Sequence, residues 1–148
     1  MKTLIVYASV HHGNTQKVAE TMALAIGCDL KNVTDADIHS FSSYDLIGFG
    51  SGIFFGKHHK TLLDFAQSIP DLKGKKVFVF STYGLHQKGF HDTINNILKG
   101  KGAEIVGEFG CRGWDTVGPL KLIGGIAKNH PDKKDLENAV KFIENLGK

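Results

Sequence analysis

The sequence predicts an α/β fold in which helices cover both faces of a parallel sheet. Five short apolar runs alternate with four segments of helical periodicity, and the first run, Thr3–Ala8, is apolar throughout, as expected of a strand buried on both faces. No linker, repeat or low-complexity segment interrupts this alternation. We therefore predict a three-layer, doubly wound, five-stranded parallel sheet, formed by residues 1–148 as a single domain, for which right-handed crossovers leave few strand orders.

The five strands are predicted where β-branched and other apolar residues concentrate, and they are Thr3–Ala8, Leu30–Val33, Asp45–Gly50, Lys75–Thr82 and Ala103–Gly110. Apolar residues three or four positions apart predict the helices. The first helix spans Thr15–Ile26 and ends at Gly27, and the second ends at Pro70. The apolar faces of the later helices are Leu62, Phe65, Ala66 and Ile69; Phe90, Ile94, Ile97 and Leu98; and, behind a cap at Asp132, Leu136, Val140 and Ile143.

The composition is that of an ordinary globular protein, with 41% hydrophobic and 22% charged residues. No apolar run approaches the ~18 residues of a membrane span, and we expect no signal peptide. The net charge is +3, but Lys and Arg are scattered, so we do not expect nucleic-acid binding. Cys28 and Cys111 form no C-x-x-C pair, which favours reduced thiols and a cytoplasmic location. The adjacent histidine pairs lack the spacing of zinc ligands, so no metal site is predicted.

The loop after the first strand is predicted to bind phosphate. Ser9-Val10-His11-His12-Gly13-Asn14-Thr15 connects Thr3–Ala8 directly to the first helix. A helix N-terminus presents unpaired N–H groups and a partial positive charge, glycine permits close approach, and the polar side chains add donors. Neither the P-loop motif nor the dinucleotide-binding glycine motif is present, so a nucleoside triphosphate is not predicted. Helix capping alone is the alternative, but a cap needs only one residue.

Two further loops at strand ends carry aromatic residues. After the third predicted strand comes Ser51–Lys60, with Phe54 and Phe55 between glycines, and after the fourth comes Ser81–Phe90, with Tyr83 and His86. Adjacent phenylalanines between glycines favour contact with a flat apolar group, although we expect one of the two rings to turn into the core. In open parallel sheets, ligands bind beyond the carboxyl ends of the strands. The three loops together therefore predict a phosphorylated, flat, aromatic ligand.

The order and spacing of these loops resemble the flavodoxin family. "LIVYASVHHGNTQKVAE" is similar to the phosphate loop of that family, "YDLIGFGSGIFFG" to its second flavin loop and "KKVFVFSTYG" to its third. The likeness extends over most of the chain up to the end of the predicted fifth strand. It implies the strand order 2-1-3-4-5, non-covalently bound FMN, one-electron transfer and a redox partner protein. Because this chain is basic, we expect the partner to be acidic.

The resemblance also implies which residues bind the cofactor. The first loop would hold the phosphate, Phe55 would cover one face of the flavin ring, and Gly56 would turn its peptide toward the flavin N5. Tyr83 would cover the second face, with His86 and Trp114 as rivals. The complete set of predicted cofactor-binding residues is Ser9, Val10, His11, His12, Gly13, Asn14, Thr15, Ser51, Gly52, Ile53, Phe54, Phe55, Gly56, Ser81, Thr82, Tyr83, Gly84 and His86.

The chain departs from the family pattern in three ways. The phosphate loop is one residue longer, with His12 where a hydroxyl residue is common, and the whole chain is basic rather than acidic. Lys57-His58-His59 follows Gly56, where acidic residues are common. We expect these cations to make full reduction of the flavin easier than in acidic family members. Cys111 has two interpretations, a reactive thiol beside the flavin or an inert buried thiol, and the second is favoured.

An electron carrier is the favoured function. The alternative is an FMN-dependent oxidoreductase that acts on a quinone or a tetrapyrrole precursor, with the glycine-rich segment Cys111–His130 forming a substrate pocket. A signalling or binding module with an empty site ranks last. A receiver domain needs clustered acidic residues after the first strand, and Ser9–Thr15 contains none.

Overall fold

The structure, a computed structural model, describes residues 1–9, 13–114 and 125–146. The strands are β1 (Thr3–Ala8), β2 (Asp29–Asn32), β3 (Leu46–Phe54), β4 (Lys57–His58), β5 (Lys76–Tyr83) and β6 (Glu104–Arg112). The α-helices are α1 (Asn14–Ile26), α2 (Lys60–Ser68), α3 (Asp92–Gly100) and α4 (Lys133–Leu146), and a short 3₁₀ helix spans Ile38–Ser43. Sequence periodicity located the four α-helices but neither the 3₁₀ helix nor β4.

Five parallel strands form the sheet in the order β2-β1-β3-β5-β6. This is the predicted order 2-1-3-4-5, since β4 is an additional two-residue strand that pairs antiparallel with β3. One apolar core lies between the sheet and helices α2 and α3, and a second lies between the sheet and helices α1 and α4. Both faces are therefore covered, which confirms the predicted α/β class.

Two glycines on β3 make room for aromatic rings from the neighbouring strand. A Cβ atom at Gly48 would lie 2.2 Å from the ring of Phe78, and one at Gly50 would lie 2.2 Å from the ring of Phe80. Both rings are fully buried. Gly48 and Gly50 therefore serve close packing between β3 and β5.

The prediction that β3 ends at Gly50 is wrong. Ser51 and Gly52 continue the parallel ladder opposite Ser81 and Thr82 of β5. The chain then turns back, so that Ile53 pairs with His58 in an antiparallel hairpin. Much of the predicted second loop is therefore strand, because backbone pairing on both sides extends β3 beyond its apolar run.

The last helix begins as predicted. The carboxylate of Asp132 accepts a hydrogen bond from the N–H of Asp135 at 2.9 Å, and Asp135 accepts one from the N–H of Asp132 at 2.8 Å. This reciprocal cap satisfies two backbone donors. Among the helices of the described segments, none combines the length and apolar character needed to cross a membrane.

Candidate functional site

The three predicted loops meet at one edge of the sheet. Ala8, at the end of β1, lies opposite Ser51 of β3, and Ser51 in turn lies opposite Ser81 of β5. Gly52 and Thr82 form the next pair along the same edge. The parallel strands therefore bring segments that are separated by about forty and thirty residues into contact.

The first loop leads into α1 through a glycine in the left-handed conformation. Gly13, with φ of 67°, is the residue before the helix, and the hydroxyl of Ser9 accepts a hydrogen bond from the N–H of Gln16 at 3.3 Å. The N–H groups of Asn14 and Thr15 donate to no residue in the described parts of the chain. Together with the helix dipole, they can receive an anion. Val10, His11 and His12 lie outside the described residues.

The side chains of Asn14 and Thr15 are engaged within the protein. Both residues are buried. The amide Nδ2 of Asn14 donates to the carbonyl of Trp114 at 2.8 Å, and the hydroxyl of Thr15 lies 2.9 Å from that of Thr82. The sequence predicted these side chains as ligand donors, but in this structure they connect α1 to the segment after β6 and to β5. The backbone N–H groups of these two residues, rather than their side chains, are therefore available to bind a ligand.

The second loop is the tip of the β3–β4 hairpin. Phe55 and Gly56 are its two turn residues, with φ of 53° and 80°. Positive φ at both central positions is the geometry of a type I′ turn, which glycine and asparagine adopt easily and a bulky residue does not. Phe54 packs edge-on against His59, with 5.0 Å between ring centroids, whereas Phe55 is 95% exposed. Phe54 is half-buried and belongs to neither of the two apolar cores of the described residues, so the expectation that one ring turns into the core is wrong.

Only part of the expected positive cluster after Gly56 carries charge. His58 is 1% exposed, and its Nε2 lies 2.9 Å from the carbonyl of Phe80. Burial lowers the pKa of His58 to about 4, and the nearby carbonyls of Phe80 and Phe90 offset this only in part. His58 is therefore neutral at pH 7. The expectation of three cations in a row is wrong at this position, because His58 points into the protein.

The residues on either side of His58 differ from it. Lys57 is exposed. His59 begins α2, where its Nδ1 accepts a hydrogen bond from the N–H of Thr61 at 3.1 Å. Lys60 contacts Asp64 at 2.6 Å on the exposed surface of the helix. His59 caps a helix and Lys60 forms an ion pair. Among the described residues of this segment, Lys57 is therefore the positively charged residue that has neither role.

In the third loop, Tyr83 and His86 contact each other and Phe90, with ring centroids 5.3 and 5.7 Å from Tyr83. The ring of Tyr83 also lies over Gly110, where a Cβ atom would be 2.9 Å from it. The carbonyl of Gly84 accepts a hydrogen bond from Arg112 Nε at 2.9 Å. Two of the three candidates for the second flavin face therefore belong to a single aromatic cluster.

The third candidate, Trp114, follows Gly113, whose N–H donates to the carbonyl of Tyr83 at 2.8 Å. The backbone N–H of Trp114 donates to the carbonyl of His130 at 3.0 Å, and Lys128 Nζ is 5.6 Å from the centre of the indole ring. Its own carbonyl holds Asn14. The predicted substrate pocket between Cys111 and His130 includes residues 115–124, which lie outside the described residues.

Of the two interpretations of Cys111, the structure favours the inert thiol. It is buried, and burial raises its pKa to about 12. Asp132, Asp135 and His130 place three metal-ligating atoms within 4.8 Å of one another. Because the two carboxylates already cap α4, and His130 Nδ1 contacts Asp135 at 2.6 Å, we assign this cluster to the helix terminus.

One polar chain was missed by sequence reasoning. Ser81 Oγ lies 2.7 Å from His91 Nε2, and His91 Nδ1 lies 2.9 Å from Glu108 Oε1. Asn95 donates to the same carboxylate oxygen at 3.0 Å. Although Ser81 was predicted as a cofactor residue, nothing in the spacing of the sequence links it to His91 and Glu108. The three residues come from β5, from the residue before α3 and from β6, and only the fold brings them together.

Comparison with known proteins agrees with this architecture. Residues 4–113 match the family model described as a flavodoxin domain. An uncharacterised protein of Methanocaldococcus jannaschii is 45% identical over 148 residues, which cover 99% of this chain and 98% of that protein. Oxidised flavodoxin 2 from Bacillus cereus has a TM-score of 0.76 at 23% identity, with 99% and 98% of the two chains covered. The flavodiiron protein of Giardia intestinalis has a TM-score of 0.67 at 19% identity, with 99% of this chain but 35% of that one covered.

Proposed function

Because the chain belongs to the flavodoxin family, we propose that it binds FMN at the carboxyl ends of β1, β3 and β5 and carries electrons to a redox partner protein. One observation carries the proposal: the three loops with suitable chemistry are adjacent, through the pairs Ala8–Ser51, Ser51–Ser81 and Gly52–Thr82. When bound, FMN supplies one-electron redox chemistry, and the protein supplies binding and electrostatics.

The first loop would hold the phosphate. The N-terminus of α1 offers the N–H groups of Asn14 and Thr15. Gly13 keeps the approach open, because no atom of the described residues lies within 4 Å of a Cβ atom built there. The engaged side chains of Asn14 and Thr15 hold these N–H groups in place. Backbone donors that are fixed before binding need little ordering when the phosphate arrives.

The second and third loops would hold the ring system. Phe55 is exposed in a backbone conformation that is unfavourable for phenylalanine, and such outliers concentrate at ligand sites. We propose that it covers one face of the flavin, beside Gly56. We propose that Tyr83 covers the other face, since its cluster with His86 and Phe90 lies at the end of β5. Ser81, Thr82 and Gly84 would present backbone groups to the pyrimidine edge.

The charge of the protein favours an acidic partner. The net charge is +3, and Lys57 is exposed beside the tip of the hairpin. A cationic rim around the site of electron exchange would accelerate encounter with an acidic redox protein, in a manner that weakens with added salt. Reduced thiols at Cys28 and Cys111 are consistent with the cytoplasm as the place where this exchange occurs.

The test is a pair of titrations of the full-length protein, one with FMN and one with riboflavin, followed by flavin fluorescence. We expect FMN to be quenched stoichiometrically and riboflavin to bind much more weakly, because riboflavin lacks the phosphate. Equal affinities would contradict the role of the first loop, and no binding of either would contradict the proposed function. Rapid turnover of a quinone by the loaded protein would favour the oxidoreductase over the carrier.

A further inference from the structure

The polar chain Ser81–His91–Glu108 has the connectivity of a nucleophile, a base and an orienting acid. Both hydrogen bonds are short, at 2.7 and 2.9 Å, and the imidazole bridges the hydroxyl and the carboxylate through its two different nitrogens. A nucleophile within hydrogen-bond reach of a base that is itself held by a third group is the recognised signature of an activated serine. Electron transfer by a bound flavin has no use for such an arrangement.

Glu108 determines which nitrogen of His91 carries the proton. A carboxylate only accepts, so Nδ1 of His91 must donate to it, and Asn95 fixes the same carboxylate oxygen from the other side. The Nε2 atom of the neutral ring then has a lone pair directed at Ser81 Oγ, so the serine hydroxyl donates to it. Burial lowers the pKa of His91, which keeps the ring in this basic form at pH 7.

A cavity of about 290 Å³ lies beside the serine. Its lining includes Ser81, Tyr83, His86, Lys88, Phe90 and Gly110. A Cβ atom at Gly110 would lie 3.3 Å from Ser81 Oγ and 2.9 Å from the ring of Tyr83, so the ring fills the space beside the serine. Ser81 is 0% exposed, so a reacting carbon could occupy this position only after the ring of Tyr83 moved away.

We propose that Ser81 is an activated nucleophile that small carboxylic esters acylate, with His91 as its general base, Glu108 as the positioning residue and Tyr83 as the gate. Ser81 Oγ forms a bond to the ester carbonyl carbon while its proton passes to His91 Nε2. The carbon–oxygen bond to the alcohol then breaks, and the alcohol leaves with that proton. Water, deprotonated by His91, releases the acid and restores the serine.

The cavity also indicates which esters fit. Aromatic rings of Tyr83 and Phe90 form one side, and the side chains of Lys88 and His86 are exposed at the entrance. A short acyl group packs against the rings, and an anionic group on the ester is attracted by Lys88. This activity requires no FMN, so it can be present or absent whatever the outcome of the cofactor titrations.

The test is covalent labelling of the full-length protein with phenylmethylsulfonyl fluoride, followed by intact-mass and peptide mass spectrometry. We expect a single label on Ser81. Ser51 is the internal control, because it is equally buried at the paired position of β3. Its hydroxyl contacts a backbone carbonyl and a backbone N–H, and not an imidazole ring. We expect Tyr83→Ala to accelerate labelling. The proposal would be overturned if Ser81 remained unlabelled in both the wild-type protein and Tyr83→Ala, or if Ser51 were labelled equally.

Hydrolysis of 4-nitrophenyl acetate measures the complete cycle. His91→Gln should lower the rate roughly 100-fold or more, which is the usual contribution of a general base, and Ser81→Ala should abolish it. Melting curves establish that each variant is folded. Retention of the wild-type rate by folded Ser81→Ala would also overturn the proposal, because another group would then be the nucleophile.

The pH profile distinguishes a positioning role for Glu108 from a structural one. His91 is faced by Glu108 on β6, His58 on β4, His86 in the third loop and Asp92 on α3. Glu108→Gln removes the anion that favours protonated His91, so the acidic limb of the labelling profile should move to lower pH. A structural role alone would change the rate but leave that limb in place.

Discussion

The hydroxyl oxygens of Thr15 and Thr82 lie 2.9 Å apart in a buried contact that joins the first turn of α1 to the end of β5. One hydroxyl donates to the other, and both residues are buried. The contact links the predicted phosphate loop to the predicted third flavin loop, so its loss should affect both stability and the alignment of the site.

Thr15→Val should lower the free energy of unfolding by about 1–3 kcal/mol, because it leaves the hydroxyl of Thr82 buried without a partner. The double variant with Thr82→Val should cost less than the sum of the two single variants, since no unpaired hydroxyl remains. Urea denaturation of the four proteins checks this. Thr21→Val, at an exposed hydroxyl bonded to the carbonyl of Lys17, is the control and should change little. Additive effects would contradict the coupling.

Phe55→Asn should raise the free energy of unfolding of the cofactor-free protein by about 1 kcal/mol. Asparagine adopts positive φ more easily than phenylalanine, and a ring that is 95% exposed contributes almost no burial. The same variant should bind FMN more weakly. Leu85→Asn, at another exposed apolar residue without positive φ, is the matched control for stability. Thermal denaturation that shows a loss of stability in Phe55→Asn would show that the ring packs in solution.

Stability should fall as the pH drops from about 6.5 to about 4, because His58 takes up a proton in the unfolded chain before it does so in the folded protein. The loss reaches roughly 3 kcal/mol below the folded pKa. His58→Gln keeps a donor for the carbonyl of Phe80 and does not titrate, so its stability should be flatter over this range. Urea midpoints measured between pH 4 and 7.5 check this. Parallel curves for the two proteins would place the acid sensitivity elsewhere.

Lys57→Glu should lower the potential for full reduction of bound FMN. An exposed charge near the flavin contributes up to about 1 kcal/mol after screening, or roughly 40 mV for one electron, and reversal doubles the change. Lys60→Glu is the control, because Lys60 is exposed on α2 and paired with Asp64. Spectroelectrochemistry at low and high salt measures both, and the difference should shrink with salt. No shift in Lys57→Glu would remove the electrostatic argument.

The positions of the main strands and the four helices could be predicted from the sequence because they depend on local, periodic information, whereas the strand order was predicted from the family resemblance. A fully apolar run such as Thr3–Ala8 is compatible with a strand buried on both faces, and the repeat of Val18, Met22 and Ile26 places one side of α1 against the sheet. Right-handed crossovers then leave few topologies. The proximity of the three loops could be predicted as well, because the carboxyl ends of parallel strands lie at the same edge of the sheet.

The sequence by itself determined the class of fold and which loops share an edge of the sheet. Tertiary structure alone decided the contacts of each polar side chain at that edge. The side chains of Asn14 and Thr15 form hydrogen bonds within the protein, and His58 is buried and neutral. His91 connects Ser81 to Glu108. The reason is physical. Periodic burial is encoded locally along the chain, whereas the partner of a polar group depends on the register and packing of distant elements, and a histidine is charged or neutral according to the space that surrounds it.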